Sequence, residues 1–230
     1  MKKWITSNGC MVYQTSEGRS NSYLIFDQDV SILVDTSIKK SRKRLLKKLD
    51  TFFGKNKLSY LVLTHSHYDH VENAAIIKEK YGAKVVIQSS EGDNLKQGTS
   101  LIPNGTNILT CIIVGVERKI NRIASYEKVS PDIWVDDCYF LSSNCYLIHT
   151  PGHTKGSMSL IVDGEIALVG DAMFGVFSWS VFPPFADDVP IMIRSWEKLL
   201  KTDCEVYLPG HGTSNSKKLL KKQFERHILN

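Results

Sequence analysis

The chain has 230 residues, 42% of them apolar and 23% charged, and carries a formal net charge of +5 at pH 7. That balance excludes a disordered chain, and no apolar run approaches the roughly 20 residues that a membrane-spanning helix needs. The N-terminal MKKWITSNGCMVYQ has two lysines with no apolar stretch behind them, so a cytoplasmic protein without a membrane partner is expected.

Five cysteines (Cys10, Cys111, Cys138, Cys145 and Cys204) are odd in number and form no CxxC pair, which reads as reduced, mostly buried thiols. The basic residues concentrate from Lys39 to Lys48 and from Lys217 to Lys222. Both runs resemble the wet faces of amphipathic helices, so nucleic acid is allowed as a partner but not favoured. No repeat or linker divides the chain. A single domain over residues 1–230 is expected, with a homo-oligomer left open.

In chain order, CMVYQ, NSYLIF and VSILVD are short β-prone runs separated by SEGRSN and DQD, the pattern of an antiparallel meander. Asp35-Thr36-Ser37 follows. Ser37 is expected to cap the next helix, while Asp35 either caps it or orients a metal ligand. From Ile38, Leu45, Leu49, Phe52 and Phe53 recur at helical spacing, with Gly54 as the stop. A strand from Ser59 to Thr64 then leads into THSHYDHVEN.

Three histidines and an aspartate within six positions are a metal-site pattern. A strand ending at Leu63 would deliver His65 and His67 to one side of the chain, because side chains two apart in extended backbone point the same way, and they can share a cation. Asp69 and His70 leave on another vector, where the chain turns helical, and can reach a second. A structural zinc site would close its shell with cysteines, and none is near in sequence. The helix runs to about Tyr81, stopped by Gly82, and the strand Lys84 to Ile87 completes a parallel crossover.

Residues 89–141 are broken by Gly92, Gly98, Pro103 and Gly105, with room for a helix or two and a short strand at Ile133 to Val135. Two further strands join through an Asp163-Gly164 turn, and His153 and Asp171 are expected to terminate strands. FGVFSWSVFPPFADD holds five aromatics and two prolines, which reads as a loop with an apolar surface. A helix started by Asp188 carries Met192, Trp196 and Leu199. The strand Glu205 to Leu208, a Pro-Gly-His-Gly turn at His211 and a last helix from about Ser214 complete the chain.

Four of these segments together resemble the metallo-β-lactamase fold superfamily. HSHYDH is similar to its HxHxDH motif, HTPGHTKGSMSL to its third-histidine motif, VGDAMF to its GD motif and LPGHGT to its last-histidine motif, all in the family's order. The resemblance implies an α/β fold, a four-layer αβ/βα sandwich of two mixed β-sheets flanked by helices. It also implies one metal on His65, His67 and His153, another on Asp69, His70 and His211, and Asp171 bridging them.

Two divalent metal ions are thus the implied cofactors. Zn2+ is expected, although the same imidazoles and carboxylates suit Fe or Mn. A hydroxide bridging the pair would cleave an ester, lactone or thioester of a small-molecule substrate, with Asp69 as general acid/base. The alternatives are a phosphodiesterase or ribonuclease-type metallohydrolase, a persulfide-dioxygenase-like iron enzyme, and a non-catalytic metal-binding protein.

Departures from better-known branches narrow the choice. Asp171 and the absence of a visible signal segment disfavour antibiotic hydrolysis. Only 19 residues follow His211, too few for a glutathione-gripping region, and His67 stands where the oxygen-reducing branch has glutamate. The 83-residue step from His70 to His153 implies an insertion beside the site. With Phe174, Phe177, Trp179, Phe182 and Phe185 it would form an apolar substrate wall; the competing reading makes these rings core or a dimer contact. His149 is expected to be structural.

Overall fold

The computed structural model describes residues 1–54, 57–119 and 124–228. It opens with β1 (Lys3–Ile5), β2 (Met11–Ser16), β3 (Ser22–Asp27) and β4 (Val30–Val34), paired antiparallel in sequence. A 3-10 turn leads into α1 (Arg42–Phe53), followed by β5 (Tyr60–Val62), α2 (Tyr68–Val71), α3 (Ala74–Tyr81) and β6 (Lys84–Gln88). The broken stretch supplies α4 (Gly92–Gln97), β7 (Thr99–Ser100), α5 (Ile108–Lys119), β8 (Ala124–Ser125), β9 (Ile133–Val135) and β10 (Cys138–Phe140). Next come β11 (Cys145–His149), β12 (Met158–Val162), β13 (Ile166–Gly170), α6 (Val189–Leu200), β14 (Val206–Pro209), β15 (Asn215–Ser216) and α7 (Lys217–Ile228).

These strands form two mixed sheets, ordered β1-β2-β3-β4-β5-β6-β9 and β10-β11-β12-β13-β14-β15, while β7 and β8 pair separately. Strand alternation explains the layers, because successive side chains point to opposite faces. Ile25, Ile32, Val34 and Val62 pack against Leu147, Leu160, Val162 and Leu168 between the sheets. Their neighbours Leu24, Leu33 and Leu61 face the other way, onto Leu45 and Leu49 of α1 and Ile77 of α3. On the second sheet Ile161, Ala167 and Val169 turn outward to Met192 and Trp196 of α6 and Leu220 of α7. Helix, sheet, sheet, helix is therefore the order of layers, as the resemblance implies.

The crossovers set the working edge. β4 and β5 run parallel in one sheet, and β13 and β14 in the other. Functional loops gather beyond the carboxyl ends of such strands. Asp35, the segment 64–70, Asp171 and His211 all lie just past those ends.

Several local expectations change. β5 stops at Val62, short of the expected Thr64, and His65 and His67 lie in the turn between it and α2. β11 ends at His149 and β12 begins at Met158; Pro151 and Gly152, the latter at φ 128°, break the extended chain and leave His153 in a loop. Ser37 does not cap α1, whose N-cap residue is Ser41; its hydroxyl donates to the Ser20 carbonyl at 3.2 Å. Asp188 does cap α6, its Oδ1 accepting from the Ile191 N–H at 2.8 Å.

Candidate metal centre

The seven residues singled out in the sequence converge at the carboxyl edge of both sheets. His65 Nε2 and His153 Nε2 each lie 3.0 Å from His67 Nδ1. Nitrogens bound tetrahedrally at about 2.0 Å from a zinc ion would stand roughly 3.3 Å apart, so the cluster is almost of coordinating size. In each of the sets His65, His67, His153 and Asp69, His70, His211 the candidate donor atoms lie within 4.8 Å of one another. Asp171 stands between the sets: Oδ1 is 3.4 Å from His70 Nε2, while Oδ2 is 3.2 Å from His211 Nε2 and 3.6 Å from His153 Nε2.

Tautomers follow from the partners, since a carboxylate or carbonyl can only accept. His70 Nδ1 donates to Asp35 Oδ2 at 2.8 Å, and His153 Nδ1 donates to the Phe185 carbonyl at 2.9 Å. Both rings are thereby fixed with Nε2 toward the centre. Asp35 also accepts from Thr64 N and Thr64 Oγ1, each at 2.8 Å. With its proton committed, the Thr64 oxygen accepts from His65 Nδ1 at 3.0 Å. One carboxylate thus orients histidines of both sets, and the open choice at Asp35 falls to ligand orientation. It sits at φ 56°, an uncommon conformation that aims its side chain across the strand end.

The electrostatics suit cation binding. Burial, reinforced by neighbouring imidazoles, holds His65 and His67 well below the usual histidine range, so their lone pairs are free. Burial also pulls His70 and His211 down, but adjacent carboxylates, Asp171 foremost, outweigh it and raise both. Asp171 is pushed up by burial and more strongly down by His211 and His70, ending well below the carboxylate range. Two atoms carry the fit. Among the described residues, His70 Nε2 and Asp171 Oδ1 are buried and find no hydrogen-bond partner, an arrangement that is costly in a protein interior unless a ligand fills it. A Cβ on Gly210 would stand 2.3 Å from Asp171 Oδ1 and 2.6 Å from His70 Cε1, so the glycine keeps that space open.

Supporting residues absent from the motifs complete the site. Glu91, at the start of α4, accepts from Ser66 N at 3.1 Å, from Ser66 Oγ, and from Gly156 N at 3.1 Å. It ties the turn carrying His65 and His67 to the loop carrying His153. Asn21 Nδ2 donates to the carbonyls of Pro209 and Gly212, both at 2.9 Å, on either side of His211. Arg19 Nη2 donates to Tyr68 Oη at 2.7 Å, and its Nε lies 3.9 Å from Asp69 Oδ2. Little in the sequence marks these residues, whose partners are mostly backbone groups remote along the chain. His149 is not part of the centre; its Nε2 lies 2.8 Å from the Lys155 carbonyl oxygen.

A cavity of about 1010 Å3 opens over the cluster. It is lined by Phe174 and Phe185 of the aromatic segment and by Ile102, Pro103, Ile113 and Val114 of the expected insertion. Only part of the expected aromatic wall forms. Phe177 and Trp179 are exposed, and Phe182 packs edge-on against the buried Trp196.

Sheet order and layer order define an αβ/βα sandwich with histidine and aspartate groups that could hold metal ions at one edge. The chain belongs to the metallo-beta-lactamase superfamily, whose family model matches residues 15–211. A metallo-beta-lactamase fold-containing protein of Sulfurisphaera tokodaii is 24% identical over 214 residues, covering 90% of this chain and 77% of that protein. A probable metallo-hydrolase of Methanocaldococcus jannaschii is 28% identical over 203 residues, covering 84% and 87%. Among solved structures, a protein crystallised in a di-iron-bound form superposes with a TM-score of 0.66 at 20% identity, covering 92% of this chain and 98% of that one.

Proposed function

We propose that this protein is a dinuclear metal-dependent hydrolase that cleaves an ester, lactone or thioester. The observation that carries the reading is Asp171, buried between two histidine sets, with Oδ2 reaching both His153 and His211 and Oδ1 turned to His70 without a hydrogen-bond partner among the described residues. His65, His67 and His153 would hold one cation, and Asp69, His70 and His211 the other. When bound, such a pair supplies an acidified water as nucleophile and Lewis-acid polarisation of the scissile carbonyl. Zinc is the metal we assign, and the donor set equally accepts iron.

The chain's own residues supply the rest. Asp69, at the cavity floor with its Oδ2 3.6 Å from His211 Nε2, orients the attacking water and carries a proton to the leaving oxygen or sulfur. Asp35 keeps His70 and, through Thr64, His65 in their binding tautomers. The apolar cavity walls exclude bulk water, which strengthens each charge interaction inside. The metallo-hydrolase name carried by a relative of 28% identity agrees with the class.

The test is a metal analysis joined to an activity panel. Purified without chelator, the protein should hold close to two metal equivalents and hydrolyse p-nitrophenyl acetate or a lactone in preference to bis(p-nitrophenyl) phosphate. His67→Ala should lose metal and lower kcat/KM by at least about a hundredfold. Metal-free protein, or a preference for the phosphodiester, would displace the reading.

A further inference from the structure

Resting on the hydrolase reading above, we infer that the acyl half of the substrate is an aliphatic chain lying between α5 and the aromatic segment, its carbonyl at the histidine cluster. The lining of the cavity divides by chemistry. The imidazoles, Asp69, Asp171 and Arg19 supply its charge, with Tyr68, Ser100 and Thr213 as further polar side chains. Ile102, Pro103, Ile113, Val114, Phe174 and Phe185 offer hydrocarbon surface with no side-chain donor or acceptor, and Phe174 brings that surface to the cluster, its ring 4.6 Å from that of His211. A polar acyl group seated there would lose its water without replacement hydrogen bonds. An aliphatic chain gains by leaving water.

The space is larger than a short acyl group uses. At about 1010 Å3 it reaches the upper end of the range, roughly 300–1,000 Å3, of small-molecule sites. Its walls are also tied to each other. Thr106 N and Oγ1 donate to the carbonyls of Pro184 and Pro183 at 3.1 and 2.9 Å, and the Ala186 N–H donates to the Asn104 carbonyl at 2.9 Å. Gly105 and Phe185 form an isolated antiparallel bridge, leaving the segment before α5 and the aromatic segment as one wall. Phe185 also fixes His153 through its carbonyl, so the apolar slot is held in register with the cluster. Ile113, 42% exposed, stands at the mouth, where a longer chain would leave.

In the reaction, the bond from the acyl carbon to the leaving oxygen or sulfur breaks. One water provides the oxygen that joins the acyl carbon; one of its protons goes to the leaving group and the other is released to solvent. The products are an aliphatic carboxylate and an alcohol or thiol.

The metal-loaded full chain should be assayed on p-nitrophenyl acetate, butyrate, hexanoate and octanoate. The expected kcat/KM rises about threefold per added methylene. Ile113→Asp, and more weakly Ile113→Ala, should flatten that rise, while Ile112→Asp on the outer face of α5 should leave it intact. Calorimetry reads the same slot without turnover: octanoate should bind at least tenfold more tightly than acetate, and Ile113→Asp should cancel the difference. Equal kcat/KM along the series, or equal binding of octanoate and acetate, overturns the inference and leaves a short-chain hydrolase standing. Absence of turnover on every ester removes the hydrolase reading instead, and the binding ratio then decides the inference alone.

Discussion

At the residue scale, the centre depends on side chains that never touch a cation. Asp35 accepts three hydrogen bonds, from Thr64 N, Thr64 Oγ1 and His70 Nδ1. Asparagine has one acceptor oxygen and cannot serve all three. Asp35→Asn should therefore weaken metal affinity about tenfold to a hundredfold, measured by competition with a fluorescent zinc chelator. Gly210→Ala acts by volume, since its Cβ would enter the space between Asp171 and His70; the same titration should show at least a tenfold loss with the circular dichroism spectrum unchanged. Glu91→Leu would leave the buried Ser66 and Gly156 amides without their acceptor. That costs about 2–4 kcal/mol, read as a lower urea midpoint. The seven convergent residues were legible in the sequence because each sits in a dense or glycine-flanked motif. Glu91 and Asn21 were not, since hydrogen bonds to distant backbone leave no periodicity or spacing to read.

At the element scale, strands and helices with a strong period were the legible ones. β2, β3 and β4 alternate between the two cores, and α6 shows its cap and apolar stripe in the sequence. α5 was unreadable for a physical reason: Ile108, Leu109 and Ile112 are exposed by 82%, 67% and 59%, so apolar residues occur around the helix and no polar face marks its orientation. The thiols divide between elements in a similarly non-local way. Cys10 before β2 and Cys145 at the start of β11 meet between the sheets beside Asp27. Asp27 is already engaged by Ser142 Oγ at 2.5 Å and Asn144 Nδ2 at 2.9 Å, and burial foremost pushes the two thiols up to about 11 and about 12. They are neutral packing groups. A thiol reagent at pH 8 should label Cys111 and Cys138, the exposed pair, and reach Cys10, Cys145 and Cys204 only after denaturation. Because the folded-state values exceed the ordinary 9.0, the stability these thiols confer is complete below pH 9. It is lost as pH rises from there toward 11 and 12, while the unfolded chain gives up protons that the folded chain keeps. Urea titrations above pH 9 should show stability falling as the pH rises toward 11 and 12, and less steeply when Cys145 is replaced by alanine.

At the scale of the whole molecule, the centre joins the two sheets. His65, His67, Asp69 and His70 follow β5 of the first sheet, whereas His153, Asp171 and His211 follow strands of the second. Each three-donor set draws on both sheets, so a cation in either set is a cross-link between the sheets. Without cations the edge gathers buried imidazoles and a carboxylate whose outermost atoms, His70 Nε2 and Asp171 Oδ1, find no hydrogen-bond partner among the described residues. Cations would favour this arrangement over the unfolded chain, where His65 to His70 stay close but His153, Asp171 and His211 are remote. Binding therefore adds to stability by mass action, about 4 kcal/mol at a metal concentration a thousandfold above Kd. For a chain of this length that corresponds to a rise in Tm of roughly 10 °C. Calorimetric scans with excess chelator and with added zinc should differ by about that amount. The unfolding transition should stay single in the loaded protein, because the cross-link opposes separation of the sheets. A chelator-insensitive Tm would show that the sheets are held by their shared core alone, with the histidine edge adding nothing to the fold.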